Sequence, residues 1–134
     1  WIWAAAKLGF ALRLAAPTKF QPPAELVRRA GGDIVVTTDV LGASTGADVL
    51  YTDVWVSMGK EDETAFRLAQ FGGYQINQAA VEAAGGNPLV MHCLPAYRGK
   101  EITDEVFEAH AQTIFDQAEN RLHTQKAILA LLER

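Results

Sequence analysis

An imidazole, a thiol, a carboxylate and a hydroxyl stand just beyond two strand-like runs in this chain. His92-Cys93-Leu94-Pro95 follows the apolar run Pro88-Leu89-Val90-Met91. Asp53-Val54-Trp55-Val56-Ser57-Met58-Gly59 follows Val49-Leu50-Tyr51-Thr52. In an open α/β sheet, ligands bind at the carboxyl ends of strands, so the two clusters could form one site. Asp53 could hold an ammonium group there, or simply close a turn. The Ser57 hydroxyl and nearby backbone amides could contact a substrate; Ser57 and Gly59 could equally cap the next helix. Cys93 is either a functional thiol or a small core hydrophobe. His92 and Cys93 are adjacent, so a regular strand points them to opposite faces. They make a poor nucleophile pair unless the chain turns between them, and Pro95 is a residue suited to such a turn. The bond before Pro95 could be cis, although trans is favoured for most such bonds.

Other chemistries find less support. Asp53, His92 and Cys93 could draw in a metal, but their spacing matches no common zinc pattern. The glycine pairs form neither G-x-G-x-x-G nor a P-loop, so nucleotide binding has no motif behind it. Arg121 is placed in the first turn of a closing helix, where a cation opposes the helix dipole. That conflict favours a specific anionic or carbonyl partner. Arg98 reads as a solvated loop residue, and His110 and His123 as surface or interface residues.

The elements that must position these groups alternate between strand-like and helix-like runs. Residues 1–10 read as a helix stopped near Gly9. Residues 11–16 read as a strand, and 24–30 as a helix with Pro23 suited to its first turn. The β-branched run 33–38 reads as a strand, followed by a short helix or turn at 40–45. A strand is expected at 49–54 and a helix at 60–70, with Glu61, Asp62 and Glu63 in its first turn. Asn77 caps a helix through Ala84, and 89–92 is the next strand. Thr103 caps a helix to His110. Thr113-Ile114-Phe115 reads as a last strand, and Asp116 to Glu119 has capping-box spacing ahead of the closing helix. The pattern implies a mostly parallel sheet covered by helices.

The chain has 134 residues, which suits one domain, and 49% are apolar, enough for a core. Sixteen acids outweigh twelve bases, which argues against a nucleic-acid or anionic-membrane surface. The single cysteine excludes an internal disulfide and fits a reducing compartment. No apolar run approaches the ~18 residues of a membrane span. The first helix has no capping residue and no initiator Met precedes it, so the chain is expected to begin inside a larger protein.

His92-Cys93-Leu94-Pro95, Asp53 with Ser57-Met58-Gly59, and Ala118-Glu119-Asn120-Arg121 together resemble ornithine carbamoyltransferase. The likeness runs in order along the whole chain and covers that family's C-terminal, ornithine-binding domain. Residues 1–134 are therefore expected to be this second domain, incomplete at the N-terminus. An aspartate carbamoyltransferase would usually show His-Pro-Leu-Pro where this chain has His-Cys-Leu-Pro. The resemblance implies a Rossmann-like α/β fold, with a mostly parallel sheet, helices on both faces and its first strand missing. That strand belongs in the middle of the sheet, so unpaired edges and exposed apolar faces are expected.

The resemblance also implies a reaction. Carbamoyl phosphate and L-ornithine give L-citrulline and phosphate, the reaction type of arginine biosynthesis and the urea cycle. Asp53 would bind the α-ammonium of ornithine, and Ser57 and Met58 would complete the amino-acid pocket on a closing loop. Cys93 would lie near the attacking amine, and Leu94 would line the site through its backbone. His92 and Arg121 would polarise the carbamoyl oxygen. No cofactor or metal is implied. The setting implied is cytoplasmic, with neither nucleic acid nor membrane as a partner. The family's N-terminal carbamoyl-phosphate domain, with its Ser-Thr-Arg-Thr-Arg motif, is absent, as is the asparagine loop after the missing strand. Family members usually form trimers, largely through that absent domain. Little activity is therefore expected from this chain alone. The alternatives are a carbamoyltransferase for another amine such as putrescine, or a non-catalytic amino-acid-binding fragment.

Overall fold

The computed structural model describes residues 1–56, 63–85 and 87–133. Four short strands alternate with helices: α1 (Ile2–Leu8), β1 (Leu12–Ala15), a 3-10 turn (Thr18–Phe20), α2 (Ala24–Ala30), β2 (Ile34–Thr37), α3 (Val40–Ser44), β3 (Val49–Thr52), α4 (Thr64–Phe71), α5 (Gln78–Ala83), β4 (Leu89–His92), α6 (Asp104–Ala109) and α7 (Ala111–Leu132). Local chemistry accounts for most boundaries. Gly9, at φ 76°, closes α1 by donating its N–H to the Ala5 carbonyl. Asp39, Asn77 and Thr103 accept bonds from Gly42, Ala80 and Val106 N–H at 2.9, 3.1 and 3.3 Å, each satisfying a free donor at a helix start. Pro23 is the residue just before α2 rather than its first turn.

The strands form two parallel pairs rather than one continuous sheet. β1 pairs with β2, with Leu12 opposite Ile34, and β3 pairs with β4, with Val49 opposite Leu89. Among the described residues, β1 and β3 each pair on one side only. A cavity of about 580 Å³ lies between them, lined by both strands and by Trp1 and Ile76. The unpaired edges expected from the sequence are thus present, and they face one shared space.

The core lies against the second pair. Leu50, Ile76, Ala80, Val81, Val90, Ile102, Val106, Phe107 and Ile114 form one buried cluster. Strand alternation explains the choice of residues on β4: Val90 and His92 are fully buried on one face, while Met91 between them is half-buried. In the other half, α1 packs on α2 and β2. The turn at Gly32 passes so close that an added Cβ would meet the Ala6 Cα at 3.2 Å, and its φ of 84° also favours glycine.

Two expectations need correction. Thr113-Ile114-Phe115 is no strand; it lies inside α7, which starts at Ala111. Ile114 is fully buried and Gln117 and Ala118 are half-buried, the i, i+3, i+4 face of a helix. Packing of that face overrides the strand preference of three β-branched or aromatic residues. Arg121 is consequently ten residues past the helix start, and its supposed conflict with the dipole disappears, since that effect fades within the first turn. Helix α4 starts at Thr64, and residues 60–62 of the expected helix lie outside the described residues.

Candidate functional site

The register of the β3–β4 pair builds the site. Thr52 lies opposite His92. One residue further along, Asp53 comes beside Cys93, at strand spacing of ~4.8 Å. A carboxylate oxygen of Asp53, a ring nitrogen of His92 and the sulfur of Cys93 all lie within 4.8 Å of one another. Asp53 is exposed and its Oδ1 also accepts the Val54 N–H at 2.7 Å. Cys93 is half-buried and carries a free thiol.

Burial and Asp53 set the state of that thiol, and Tyr51 partly opposes them. Burial pushes the Cys93 thiol above its ordinary pKa, and a hydrogen bond to Asp53 pushes it further. Tyr51, two residues before Asp53 on the same face of β3, hydrogen-bonds to Cys93; burial and that bond raise its pKa to about 12. Gln117 from α7 partly offsets that rise. Cys93 is therefore an uncharged S–H held between a carboxylate and a phenol. Such a group orients a neighbour; it is a poor nucleophile, because the thiolate is the reactive form.

His92 is not placed as the sequence reading expects. Its side chain is 0% exposed. Nδ1 accepts the Leu94 N–H at 3.0 Å, so the ring proton sits on Nε2, which faces Glu101 Oε1 at 3.2 Å. A neutral imidazole has one N–H and one lone pair, and both are engaged inside the protein. In this arrangement both ring nitrogens of His92, the residue expected to polarise a carbamoyl oxygen, are bonded inside the protein. What His92 does hold is the turn. Leu94 takes φ 56°, a left-handed conformation that costs a non-glycine residue of order 1–2 kcal/mol. The Leu94–Pro95 bond is cis, one of the two forms left open from the sequence.

The same bonds bear on metal binding. Asp53, His92 and Cys93 have ligand geometry that their spacing in the sequence did not suggest. With both His92 nitrogens engaged, Cys93 and Asp53 are the donors left over, and ligation through His92 would break one of its bonds.

The remaining predicted residues divide clearly. Leu94 is half-buried beside the core. Arg121 is exposed on α7, and no described residue pairs with its guanidinium. Ser57 and Met58 lie outside the described residues. The residues that flank them are held by Arg67, which bonds the Glu63 carboxylate at 2.8 Å and the Trp55 carbonyl at 3.4 Å. Arg98 is more than a solvated loop residue: it bonds Asp104 at 2.9 Å, pairs with Glu108, and lies 4.2 Å from the Phe107 ring centroid. Tyr51, Gln117 and Glu101 were not singled out from the sequence. Strand alternation could have found Tyr51, which shares a face with Asp53; nothing local marks Glu101, whose partner lies nine residues back.

Comparison with known proteins agrees with the residue pattern. The family model described as aspartate/ornithine carbamoyltransferase, Asp/Orn binding domain, matches residues 1–132. The ornithine carbamoyltransferase of Syntrophotalea carbinolica is 51% identical over 98% of this chain, a stretch covering 45% of that relative. A crystal structure of the anabolic ornithine carbamoyltransferase from Campylobacter jejuni superposes with a TM-score of 0.93 at 38% identity, covering 99% of this chain and 46% of that one. The Pyrococcus furiosus ornithine carbamoyltransferase gives a TM-score of 0.82 at 40% identity, covering 97% and 44%. The chain thus spans less than half the length of the relatives it matches.

Proposed function

This chain belongs to the aspartate/ornithine carbamoyltransferase family, and we propose that it is the half of such an enzyme that holds the amino-acid substrate during carbamoyl transfer. The observation that carries this reading is the placement of Asp53 and Cys93 together at the carboxyl ends of β3 and β4. An exposed carboxylate beside a neutral thiol suits an ornithine: the carboxylate takes its α-ammonium in a charge-assisted bond, and the thiol orients its side-chain amine.

In the reaction, the neutral side-chain amine attacks the carbamoyl carbon of carbamoyl phosphate. The C–N bond forms, the C–O bond to phosphate breaks, and phosphate leaves with the electron pair while the amine loses a proton. Arg121, with no described partner, supplies a cation for the charge that builds on the carbamoyl oxygen. The Cys93–Leu94 turn contributes backbone groups to the same place, and Ser57 and Met58 complete the amino-acid pocket. The carbamoyl phosphate itself is held chiefly by the half of the enzyme that this chain does not match. No helix among the described residues is long and apolar enough to cross a membrane, and a cytoplasmic, trimeric enzyme fits the family.

The test joins this chain to the unmatched half of the Syntrophotalea relative and measures carbamoyl transfer to ornithine, aspartate and putrescine in parallel. Citrulline formation with strong preference for ornithine is expected. Preference for putrescine would keep the chemistry and overturn the substrate. A folded but inactive protein would overturn the transferase reading.

A further inference from the structure

Glu101 is a buried acid that the reaction above does not use. It is 0% exposed, and its backbone is pinned by the Ile76 N–H, which donates to its carbonyl at 2.9 Å. Its Oε1 accepts two bonds, from the Tyr97 N–H at 2.6 Å and from His92 Nε2 at 3.2 Å. Its Oε2 is buried with no partner among the described residues. An unsatisfied buried oxygen is a standing cost, so stability alone does not explain a carboxylate here. What the residue does through Oε1 is choose the His92 tautomer. With the proton drawn to Nε2, Nδ1 is left as an acceptor, and the Leu94 N–H fills it. The chain folded back in this way is the stretch that presents Cys93 to Asp53.

We propose that Glu101 is a positioning residue for carbamoyl transfer: through the His92 tautomer it holds the left-handed Leu94 turn and so aims Cys93 and the Leu94 backbone at the substrate. The inference rests on the carbamoyl-transfer reading for its kinetic consequence, while the tautomer itself does not. Glu101 touches no substrate; it acts through His92, two bonds away from the Leu94 backbone.

The experiment uses the same joined enzyme, with Glu101→Gln and Glu101→Met. Glutamine keeps an acceptor oxygen for His92 and Tyr97; methionine fills the space without one. The wild type is expected to show the His92 ring as a neutral Nε2–H tautomer by nitrogen-proton correlation spectroscopy. Glu101→Met is expected to lose the tautomer signature and at least tenfold in kcat, with a smaller change in the KM for carbamoyl phosphate. Glu101→Gln is expected to recover both. An Nδ1–H or doubly protonated ring in the wild type overturns the proposal. So does Glu101→Met with wild-type kcat, or Glu101→Gln as impaired as Glu101→Met. Should Glu101→Met fail to fold, the wild-type tautomer and the Glu101→Gln kinetics decide. An inactive wild type would instead sink the transferase reading, and the spectrum would still judge the tautomer.

Discussion

Replacing Asp53 with Asn should make Cys93 more reactive, and the structure sets the size of the effect. The carboxylate and the sulfur lie within 4.8 Å. Two unit charges at that distance repel by roughly 1 kcal/mol in a water-like medium and about four times more at an effective dielectric near 20. Asp53 is exposed, so the lower value is the better guide. Removing ~1 kcal/mol of repulsion raises the thiolate population about fivefold below the thiol's pKa. A less basic thiolate is also less nucleophilic, with a Brønsted slope of about 0.4–0.5, which trims the gain to about two- to threefold in rate. The higher repulsion would give about twentyfold. Because Cys93 is the only cysteine, alkylation by iodoacetamide followed by mass spectrometry reads this site alone. Asp53→Asn should alkylate faster than wild type near neutral pH, with the advantage reversing to a rate about twofold slower once both thiols are ionised. An unchanged or slower rate near neutral pH would refute the pairing of thiol and carboxylate on which the site rests.

Further outcomes follow from the same structure. Tyr51 is pushed up to about 12 in the folded chain, so its neutral form is favoured by folding; that stability is intact below about pH 10 and is lost as pH rises toward 12. Urea unfolding on either side of that window should show a decline that Tyr51→Phe lessens. Asn77→Ala and Thr103→Ala should each cost about 1 kcal/mol by removing a helix cap, read as a lower thermal midpoint. Ile114→Ala should cost roughly 2–5 kcal/mol, read at the same midpoint, because its side chain is fully buried in the core.

Local signals made much of this fold legible. Leu89–His92 and Ala24–Ala30 match the expected strand and helix end to end, because an apolar run bounded by Pro88, and a run bounded by Pro23 and Gly31, state their own limits. The Asn77 and Thr103 caps were readable for the same reason. The meeting of Asp53 and Cys93 was readable from the strand-end rule. The role of His92 was not. The resemblance implies a catalytic donor, while the structure buries His92 with both ring nitrogens bonded internally, and its partner Glu101 is reached only after the chain has turned through Pro95. Thr113–Phe115 misled because local strand preference is weaker than burial of Ile114 in a helix. The division into two strand pairs was foreshadowed by the resemblance, while the cavity between them needed the structure.

On the proposed function, Asp53 and Cys93 form the amino-acid end of a carbamoyl-transfer site. The most direct test is citrulline formation by this chain joined to the relative's unmatched half, compared with its Asp53→Asn and Cys93→Ala variants. Loss of a charge-assisted bond of about 1.5–3 kcal/mol predicts a fall of roughly ten- to a hundredfold in kcat/KM for ornithine in Asp53→Asn. A marked loss is expected in Cys93→Ala as well. An active enzyme whose two variants turn over ornithine as well as the wild type would contradict the account.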